Sequence, residues 1–234
     1  MSAAAPEPGH AEKPAWGAIF DWDGVVIDSS FAHEKSWDLL AGEIGKPLPP
    51  DHFKKGFGRK NEYIIPNILS WSKDPEEIIR LSLRKEEIYR RLVKEQGMKP
   101  LPGVKTWLQR LKKAGVPCVV GSSTVRLNID TVLEVIGLAE FFDDIVSADD
   151  VSHGKPDPEV FLIGARRIGR RPEACVVFED AHVGIEAAHR GGMKVVAVAT
   201  TNPIEELGGA DLAVERLDEL DISRIDALFQ AAQD

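Results

Sequence analysis

Acidic and hydroxyl residues directly follow several short apolar runs of this 234-residue chain. Asp21 and Asp23 come after the first run, and Ser122 comes after the second. Glu179 and Asp180 follow a later run. Carboxylates gathered in one place repel one another unless a cation is present, and a small set of oxygen ligands favours Mg²⁺. The types and spacing of these residues therefore suggest chemistry on an anion beside a metal ion.

Phosphoryl transfer is the reaction that such a set of residues could perform. The Asp21 carboxylate could attack phosphorus and form an aspartyl phosphate. Lys155 would spread the charge of the transferring group, and Ser122 would donate a hydrogen bond to one of its oxygens. Asp23 could protonate the leaving oxygen and later activate the incoming water or hydroxyl. The chain thus carries each part of a phosphoryl-transfer site.

Apolar runs and helical patterns alternate along most of the chain, which predicts an α/β fold with a parallel sheet. The predicted strands are Gly17–Phe20, Val116–Val120, Asp144–Val146, Cys175–Phe178, Val195–Val198 and a weaker one at Leu212–Val214. Helical periodicity extends over Val104–Lys113, Asn128–Ile136 and Val160–Ile168. Ligands bind outside the carboxyl ends of parallel strands, so the polar residues are expected to meet at one edge.

One interval lacks strand patterns and is predicted to be a helical insert. Within residues 33–98, the segment Asp74–Gly97 predicts one long amphipathic helix, with Asp-Pro at its start and Gly at its end. The predicted organisation is a flexible tail over residues 1–16, an α/β core formed by 17–32 and 99–234, and a helical domain over 33–98.

Composition and charge exclude several classes of protein. The 38 acidic residues outnumber the 29 basic ones and give a net charge of −9, whereas nucleic-acid binders usually present a basic surface. No apolar run reaches the roughly 18 residues that span a membrane. Cys118 and Cys175 lie in apolar runs, as core residues do in a reducing compartment. We expect a cytoplasmic monomer with a small phosphorylated substrate, and no nucleic-acid or membrane partner.

The motifs, taken together and in order, resemble the four-motif signature of the haloacid dehalogenase superfamily. They are Phe20-Asp21-Trp22-Asp23-Gly24-Val25, then Ser122, then Gly154-Lys155-Pro156-Asp157-Pro158, then Glu179-Asp180. The resemblance implies a Rossmann-like core with an inserted α-helical cap, Asp21 as nucleophile, Asp23 as acid/base and Lys155 as the neutralising lysine. It also implies Mg²⁺ held by Asp21, the Asp23 backbone carbonyl and Asp180, with Glu179 close by.

The cap sequence resembles the β-phosphoglucomutase subgroup of this family. The resemblance implies that His33 and Lys85 belong to the hinge and cap, and that Arg59 grips a distal phosphate. Ser123 and Thr124 are candidates for the second phosphate subsite. The sequence departs from the mutase pattern in two places, which alters the expected second phosphate subsite. Mutases have a Ser-x-Ser-basic-Asn run where this chain has Ser122-Ser123-Thr124-Val125-Arg126, and they favour a serine directly before the arginine where this chain has Gly58. The stretch around Lys85 also fits a solvated helix face, and Arg59 a solvated loop arginine.

The sequence is therefore predicted to encode a Mg²⁺-dependent phosphatase of small phosphorylated metabolites, with sugar phosphates as the expected substrates. The first alternative is a mutase that interconverts β-glucose 1-phosphate and glucose 6-phosphate. It differs only in the fate of the aspartyl phosphate, and a few kcal/mol of barrier would reverse the outcome. A remote alternative is a phosphoaccepting signalling module of the receiver type, which is much shorter, carries no cap and needs no acid at the position of Asp23.

Overall fold

The computed structural model describes residues 13–56 and 59–230, and a parallel sheet lies at the centre of this part of the chain. Its strands are β1 (Gly17–Phe20), β2 (Cys118–Gly121), β3 (Asp144–Val146), β4 (Cys175–Glu179), β5 (Lys194–Val198) and β6 (Leu212–Val214). They lie in the order β3-β2-β1-β4-β5-β6, and every neighbouring pair is parallel. The predicted α/β class with a parallel sheet is confirmed.

The predicted strands are all present: β1, β3 and β6 have the predicted bounds, and the ends of β2, β4 and β5 differ by at most two residues. The largest shift is at β2, which was predicted from Val116 and begins at Cys118. Pro117 accounts for this shift, because proline has no backbone N–H to donate to a strand ladder. The residues of β1, β2 and β4 are buried throughout, as expected of parallel strands that are covered on both faces.

Between β1 and β2, the described residues form helices and no strand. The first four of these helices form the insert: α1 (Ser30–Ile44), α2 (His52–Gly56), α3 (Asn61–Asn67) and α4 (Pro75–Gln96). Helix α4 matches the long helix predicted from the Asp-Pro and Gly signals: the Asp74 carboxylate accepts from the Glu76 N–H at 3.1 Å, and Gly97 follows its last residue. The boundary predicted at residue 33 falls inside α1, which begins three residues earlier, at Ser30.

The helical insert has an apolar core of its own, separate from that of the sheet. Trp37 and Trp71 meet edge to face at 5.8 Å between ring centroids, and both are buried. Trp37 is thus a core residue of the insert. The chain enters and leaves the insert side by side, because Ile27 pairs with Pro100 and the Leu101 N–H donates to the Val26 carbonyl at 2.9 Å. Residues 26–29 and 100–101 thus connect the two parts, and they are called the hinge below.

Five further helices surround the sheet. They are α5 (Val104–Ala114), α6 (Arg126–Ile136), α7 (Glu159–Arg167), α8 (His182–Arg190) and α9 (Ile222–Gln230). Cys118 and Cys175 are buried and unbridged beneath them, and burial raises the pKa of both thiols to about 12. They are inert core residues, as expected. Across the described residues, none of the helices combines the length and apolar character needed to cross a bilayer.

Trp16 corrects the predicted extent of the N-terminal tail. Residues 1–12 of that tail lie outside the described residues, but Trp16 is only 3% exposed. Its indole N–H donates to the Asp226 carboxylate at 2.7 Å, and its ring stacks on Phe229 at 6.2 Å. Both partners lie on α9, near the other end of the chain, so local sequence could not indicate them. Trp16 therefore belongs to the core of the sheet domain.

We expect Trp16→Ala to lower the free energy of unfolding by about 3 kcal/mol, because it removes a large buried ring and its hydrogen bond. Urea denaturation followed by circular dichroism measures this loss. The control is Leu83→Ala, at a position 62% exposed on α4, which should change stability by less than about 0.5 kcal/mol. Equal stability of the two variants would show that Trp16 is not an anchor of the core.

Candidate active site

The polar residues singled out in the sequence lie at the carboxyl ends of three neighbouring strands. Asp21 follows β1 and Ser122 follows β2, while Glu179 ends β4 and Asp180 follows it. Since β1 pairs with β2 on one side and β4 on the other, these ends are adjacent. The sheet therefore brings the residues of three separate motifs to one edge, as the strand-end rule predicts.

Three buried carboxylates form the centre of this edge. Asp21, Glu179 and Asp180 each offer an oxygen, and these oxygens lie within 4.8 Å of one another. Burial, together with the neighbouring carboxylates, raises the pKa of Asp21 well above its usual range and that of Asp180 to about 7. The raised pKa values reflect an excess of negative charge in a place with little water.

Lys155 is the cation that the structure places against this cluster. Its Nζ lies 2.8 Å from Asp21 Oδ1 and 2.6 Å from Glu179 Oε1, and its side chain is 7% exposed. Burial disfavours the charged amine, but the attraction of Asp21 and Glu179 outweighs this and raises the pKa of Lys155. One positive charge thus faces three carboxyl groups.

Glu179 is held rigidly by the start of the helix that follows it. Its Oε2 accepts from the backbone N–H groups of Asp180 and Ala181, both at 2.7 Å. Helix α8 begins directly afterwards, and its N-terminus favours negative charge. A side chain on Gly184 would fill the same space, since a Cβ there would lie 1.6 Å from Glu179 Oε1.

Asp180 is positioned by residues that the sequence analysis missed. The Thr201 hydroxyl donates to Asp180 Oδ2, and the Asn202 amide donates to the Asp180 carbonyl at 3.1 Å. Both residues follow β5, so the strand-end rule that found the other motifs would have found them. Gly24 leaves room for the same carboxylate: its φ is +82°, and a Cβ there would lie 2.0 Å from Asp180 Oδ2.

The Asp23 carboxylate is held by one hydroxyl from each side. Ser29 donates to Oδ1 from the hinge, and Thr124 donates to Oδ2 at 2.6 Å from the loop after β2. The Thr124 N–H in turn donates to Ser122 Oγ at 3.0 Å, which fixes the turn of that loop. Thr124, a candidate for substrate binding, is thus a partner of Asp23. Sequence reasoning missed Ser29.

His33 and Lys85 form a pair inside the cap. Lys85 Nζ lies 2.5 Å from His33 Nδ1, and the His33 ring stacks on Tyr89 at 4.2 Å. Burial and the Lys85 charge lower the pKa of His33 to about 4, so the ring is neutral and accepts from the ammonium. Lys85 is 3% exposed. The alternative interpretation of Lys85 as part of a solvated helix face is therefore wrong.

The two remaining candidates, Arg59 and Ser123, are exposed. The Arg59 guanidinium lies over the Tyr63 ring at 4.5 Å. No hydrogen bond between described residues joins either side chain to Asp21 or Asp23, and Gly58 lies outside the described residues. Substrate binding by Arg59 and Ser123 stays a prediction.

The carboxylate cluster fits a magnesium ion. Its ligands would be hard oxygen atoms, which Mg²⁺ prefers, and Lys155 by itself leaves the cluster with excess negative charge. The absence of a side chain at Gly24 lets Asp180 approach Asp21 closely. The contribution expected from the Asp23 backbone carbonyl stays a prediction.

Comparison with known proteins identifies the class to which this fold and site belong. The model of the haloacid dehalogenase-like hydrolases matches residues 17–192, and the chain belongs to that family. It is therefore an enzyme that acts on phosphomonoesters, and not a signalling module.

Two curated relatives are phosphatases. The chain is 43% identical over 209 residues to the chloroplastic 5-amino-6-(5-phospho-D-ribitylamino)uracil phosphatase of Arabidopsis thaliana, covering 88% of this chain and 56% of that protein. It thus spans little more than half of that relative's length. It is 34% identical over 185 residues to a fructose-1-phosphate phosphatase of Escherichia coli, covering 78% of this chain and 95% of that one.

A solved structure of the same family is also similar. The β-phosphoglucomutase of Clostridium difficile superposes with a TM-score of 0.78 at 28% identity, covering 92% of this chain and 97% of that one. The similarity includes the helical cap as well as the sheet, because it extends over nearly the whole of both chains. The expected resemblance to β-phosphoglucomutases is thereby confirmed.

We expect Gly24→Ala to weaken Mg²⁺ binding by at least about tenfold, because the new methyl group would displace the Asp180 carboxylate. Isothermal titration calorimetry with Mg²⁺ measures the affinity without any substrate. The control is Gly42→Ala on α1, where a Cβ would meet nothing within 4 Å, and which should bind Mg²⁺ as the unaltered chain does. Unchanged affinity in Gly24→Ala would contradict the assignment of Asp180 as a metal ligand.

Proposed function

We propose that the chain is a Mg²⁺-dependent phosphatase of phosphorylated sugars and sugar alcohols that acts through an aspartyl phosphate on Asp21. The observation that carries this proposal is the buried contact of Asp21 with Lys155 beside two further carboxylates. A second acid, Asp23, lies two residues further on and is held by hydroxyls on both of its oxygens. Nucleophile, charge neutralisation and acid/base group are thus present at one edge of the sheet.

Asp21 and Asp23 divide the chemistry between them. The Asp21 carboxylate attacks phosphorus, the bond from phosphorus to the substrate oxygen breaks, and Asp23 gives its proton to that oxygen. Asp23 then takes a proton from water, whose oxygen attacks the phosphorus and releases inorganic phosphate and free Asp21. The hydrogen bonds from Ser29 and Thr124 aim the Asp23 carboxyl through both steps. The Lys155 ammonium, 2.8 Å from Asp21 Oδ1, opposes the effect of burial and favours the ionised form of Asp21 that attacks.

Asp21, Asp180 and the Asp23 carbonyl would hold the metal, with Glu179 close by. When bound, Mg²⁺ supplies positive charge that stabilises the anionic phosphoryl group. Ser122, which follows the neighbouring strand, would donate a hydrogen bond to a phosphoryl oxygen. The cap would close over the bound substrate to exclude bulk water and reopen to release the products.

The relatives suggest which phosphate esters fit. One acts on a phosphorylated ribityl chain and the other on fructose 1-phosphate. Both names describe a phosphate at the terminal carbon of a chain that carries several hydroxyl groups. We therefore propose substrates of this chemistry, in which the phosphate enters the core site and the hydroxylated chain faces the cap.

Hydrolysis is favoured over the mutase reaction by the loop after β2. Arg126 is engaged elsewhere: its guanidinium pairs with Asp130 at 2.9 Å and reaches the Ile145 carbonyl at 3.5 Å. Thr124 is bound to Asp23, and Ser123 is exposed. These are the positions at which the mutase resemblance placed a second phosphate subsite. Without that subsite, water has access to the aspartyl phosphate.

We expect Asp21→Asn to reduce turnover of any phosphomonoester substrate to below about one hundredth of the unaltered enzyme, because an amide is not a nucleophile toward phosphorus. Steady-state release of inorganic phosphate measures this, and circular dichroism checks that the fold is intact. Asp38→Asn, an exposed carboxylate on the cap helix α1, is the matched control and should retain full activity. Residual activity above that limit in Asp21→Asn would exclude Asp21 as the nucleophile.

Phosphorus NMR of the products tests the reaction type in two incubations with Mg²⁺. One contains fructose 1-phosphate, and the other contains β-glucose 1-phosphate together with a trace of glucose bisphosphate. Inorganic phosphate is the expected main product. Glucose 6-phosphate that accumulates without inorganic phosphate would contradict the phosphatase and establish the mutase. Release of phosphate from the phosphorylated ribitylaminouracil, compared with fructose 1-phosphate, tests the proposed substrate chemistry.

A further inference from the structure

A buried asparagine of the sheet domain makes both of its amide hydrogen bonds to one helix of the cap. Asn128 lies on α6 and is 1% exposed. Its Nδ2 donates to Glu86 Oε2 at 2.6 Å, and its Oδ1 accepts from Arg90 Nη1 at 2.9 Å. Glu86 and Arg90 are four residues apart on α4 and so lie on the same face of that helix.

The Glu86 carboxylate accepts hydrogen bonds from three side chains, one in the core and two in the cap. Its other oxygen, Oε1, accepts from Asn61 on α3 at 2.7 Å and from Lys85 at 3.0 Å. Burial opposes the ionised form of Glu86, but Lys85, His33 and the two asparagine amides lower its pKa to about 2. The carboxylate is therefore charged at neutral pH, and each of these hydrogen bonds is charge-assisted.

This network specifies one position of α4 on α6. Apolar contacts between two helices are non-directional and tolerate small shifts. A shift of α4 along α6 would instead separate Asn128 from both of its partners and leave a buried amide and a buried carboxylate with unmade hydrogen bonds. The cost of those unmade bonds restricts the helices to the observed register.

The contacts continue from Asn128 to the acid/base residue in two directions. Through the core, α6 begins two residues after Thr124, which donates to Asp23 Oδ2. Through the cap, Glu86 binds Lys85 and Lys85 binds His33. The His33 N–H then donates to the carbonyl of Ser29 at 3.0 Å, and the Ser29 hydroxyl donates to Asp23 Oδ1.

The contacts thus form a closed circuit through both domains, with Asp23 at one end and Asn128 at the other. We propose that Asn128 is a positioning residue: by fixing α4 on α6, it determines where the cap places Lys85 and His33 and how the Asp23 carboxyl is aimed. The effect on turnover rests on the proposed phosphatase function, whereas the docking of the cap does not. Asn128 touches no reacting atom in this account.

Exchange of the two polar groups tests the pair directly. N128D places a second carboxylate against Glu86, and E86Q places an amide donor against the Asn128 amide donor. Each is expected to lower kcat/KM for fructose 1-phosphate by about tenfold. The double variant E86Q/N128D again pairs an amide donor with a carboxylate acceptor, now with the donor at position 86 and the acceptor at position 128. The carboxylate at position 128 can still accept from Arg90. Its kcat/KM should recover to within about threefold of that of the unaltered enzyme. Equal losses in the single and double variants would overturn the proposed pairing.

The leaving group distinguishes an effect on Asp23 from a general loss of structure. A p-nitrophenolate leaves without protonation, so aiming of the acid matters little for p-nitrophenyl phosphate. N128D should therefore lower kcat/KM for this ester by less than about threefold. An equal loss on both esters would contradict a role through Asp23. E134A, at an exposed position of α6, is the matched control and should leave both rates unchanged.

A measurement that does not depend on activity separates this inference from the proposed function. Spin labels on E95C in α4 and E134C in α6 report the distance between cap and core, since both native cysteines are buried. One narrow distance distribution is expected in the parent and E86Q/N128D backgrounds, and a broader one in N128D. An unchanged distribution in N128D would overturn the inference. Broadening in an enzyme that hydrolyses no phosphomonoester would refute the proposed function and leave the role of Asn128 in docking the cap intact.

Discussion

The architecture of the site depends on one electrostatic constraint: three carboxyl groups are buried together, with one lysine beside them. Asp21, Glu179 and Asp180 could not remain ionised there without compensation, and burial raises the pKa of Asp21 and Asp180 accordingly. The fold meets this constraint with short-range devices. Lys155 bridges the carboxylates of Asp21 and Glu179. Backbone N–H groups just before α8 hold Glu179 as well, and the glycine at position 24 makes room for Asp180. The negative charge that is still uncompensated favours a bound cation at this place.

The parallel sheet is the reason that such a cluster can be rigid. Each acidic group stands at or just after the end of a strand, and the strands are held by neighbours on both sides, so the carboxyl oxygens cannot move apart without breaking the sheet. Asp23 differs in this respect, because one of its two hydroxyl partners, Ser29, belongs to the hinge and the other, Thr124, to the core. The proposed nucleophile, Asp21, is thus held by the core alone, whereas the proposed acid/base residue, Asp23, is held from both parts of the chain. This separation suits an enzyme whose substrate must enter before proton transfer begins.

The two parts of the chain differ in how far local sequence could predict them. Buried parallel strands such as β4 consist of consecutive apolar residues, so their positions and the polar residues at their ends were predictable. The long helix α4 was bounded by an Asp-Pro start and a glycine end, and it was found almost to the residue. Trp16 was misplaced in the tail because its partners lie on the last helix. Thr201 follows β5, and a lone hydroxyl there does not indicate that it will bind Asp180. Lys85 could be read as a surface lysine, since the sequence does not show that α1 and α3 cover it.

The sequence by itself determined the α/β class, the strand-end site and the family resemblance, because each depends on residues that are close together or follow a strand. Only the tertiary structure decided which side chains hold those residues in place. Asn128 and Glu86 are 42 positions apart, and neither lies in a recognisable motif, yet their hydrogen bond joins the two domains. The partner of a buried polar group is chosen by the packing of whole helices, and that packing is a property of the complete chain. Periodicity reveals which face of a helix is buried, but not against which residue.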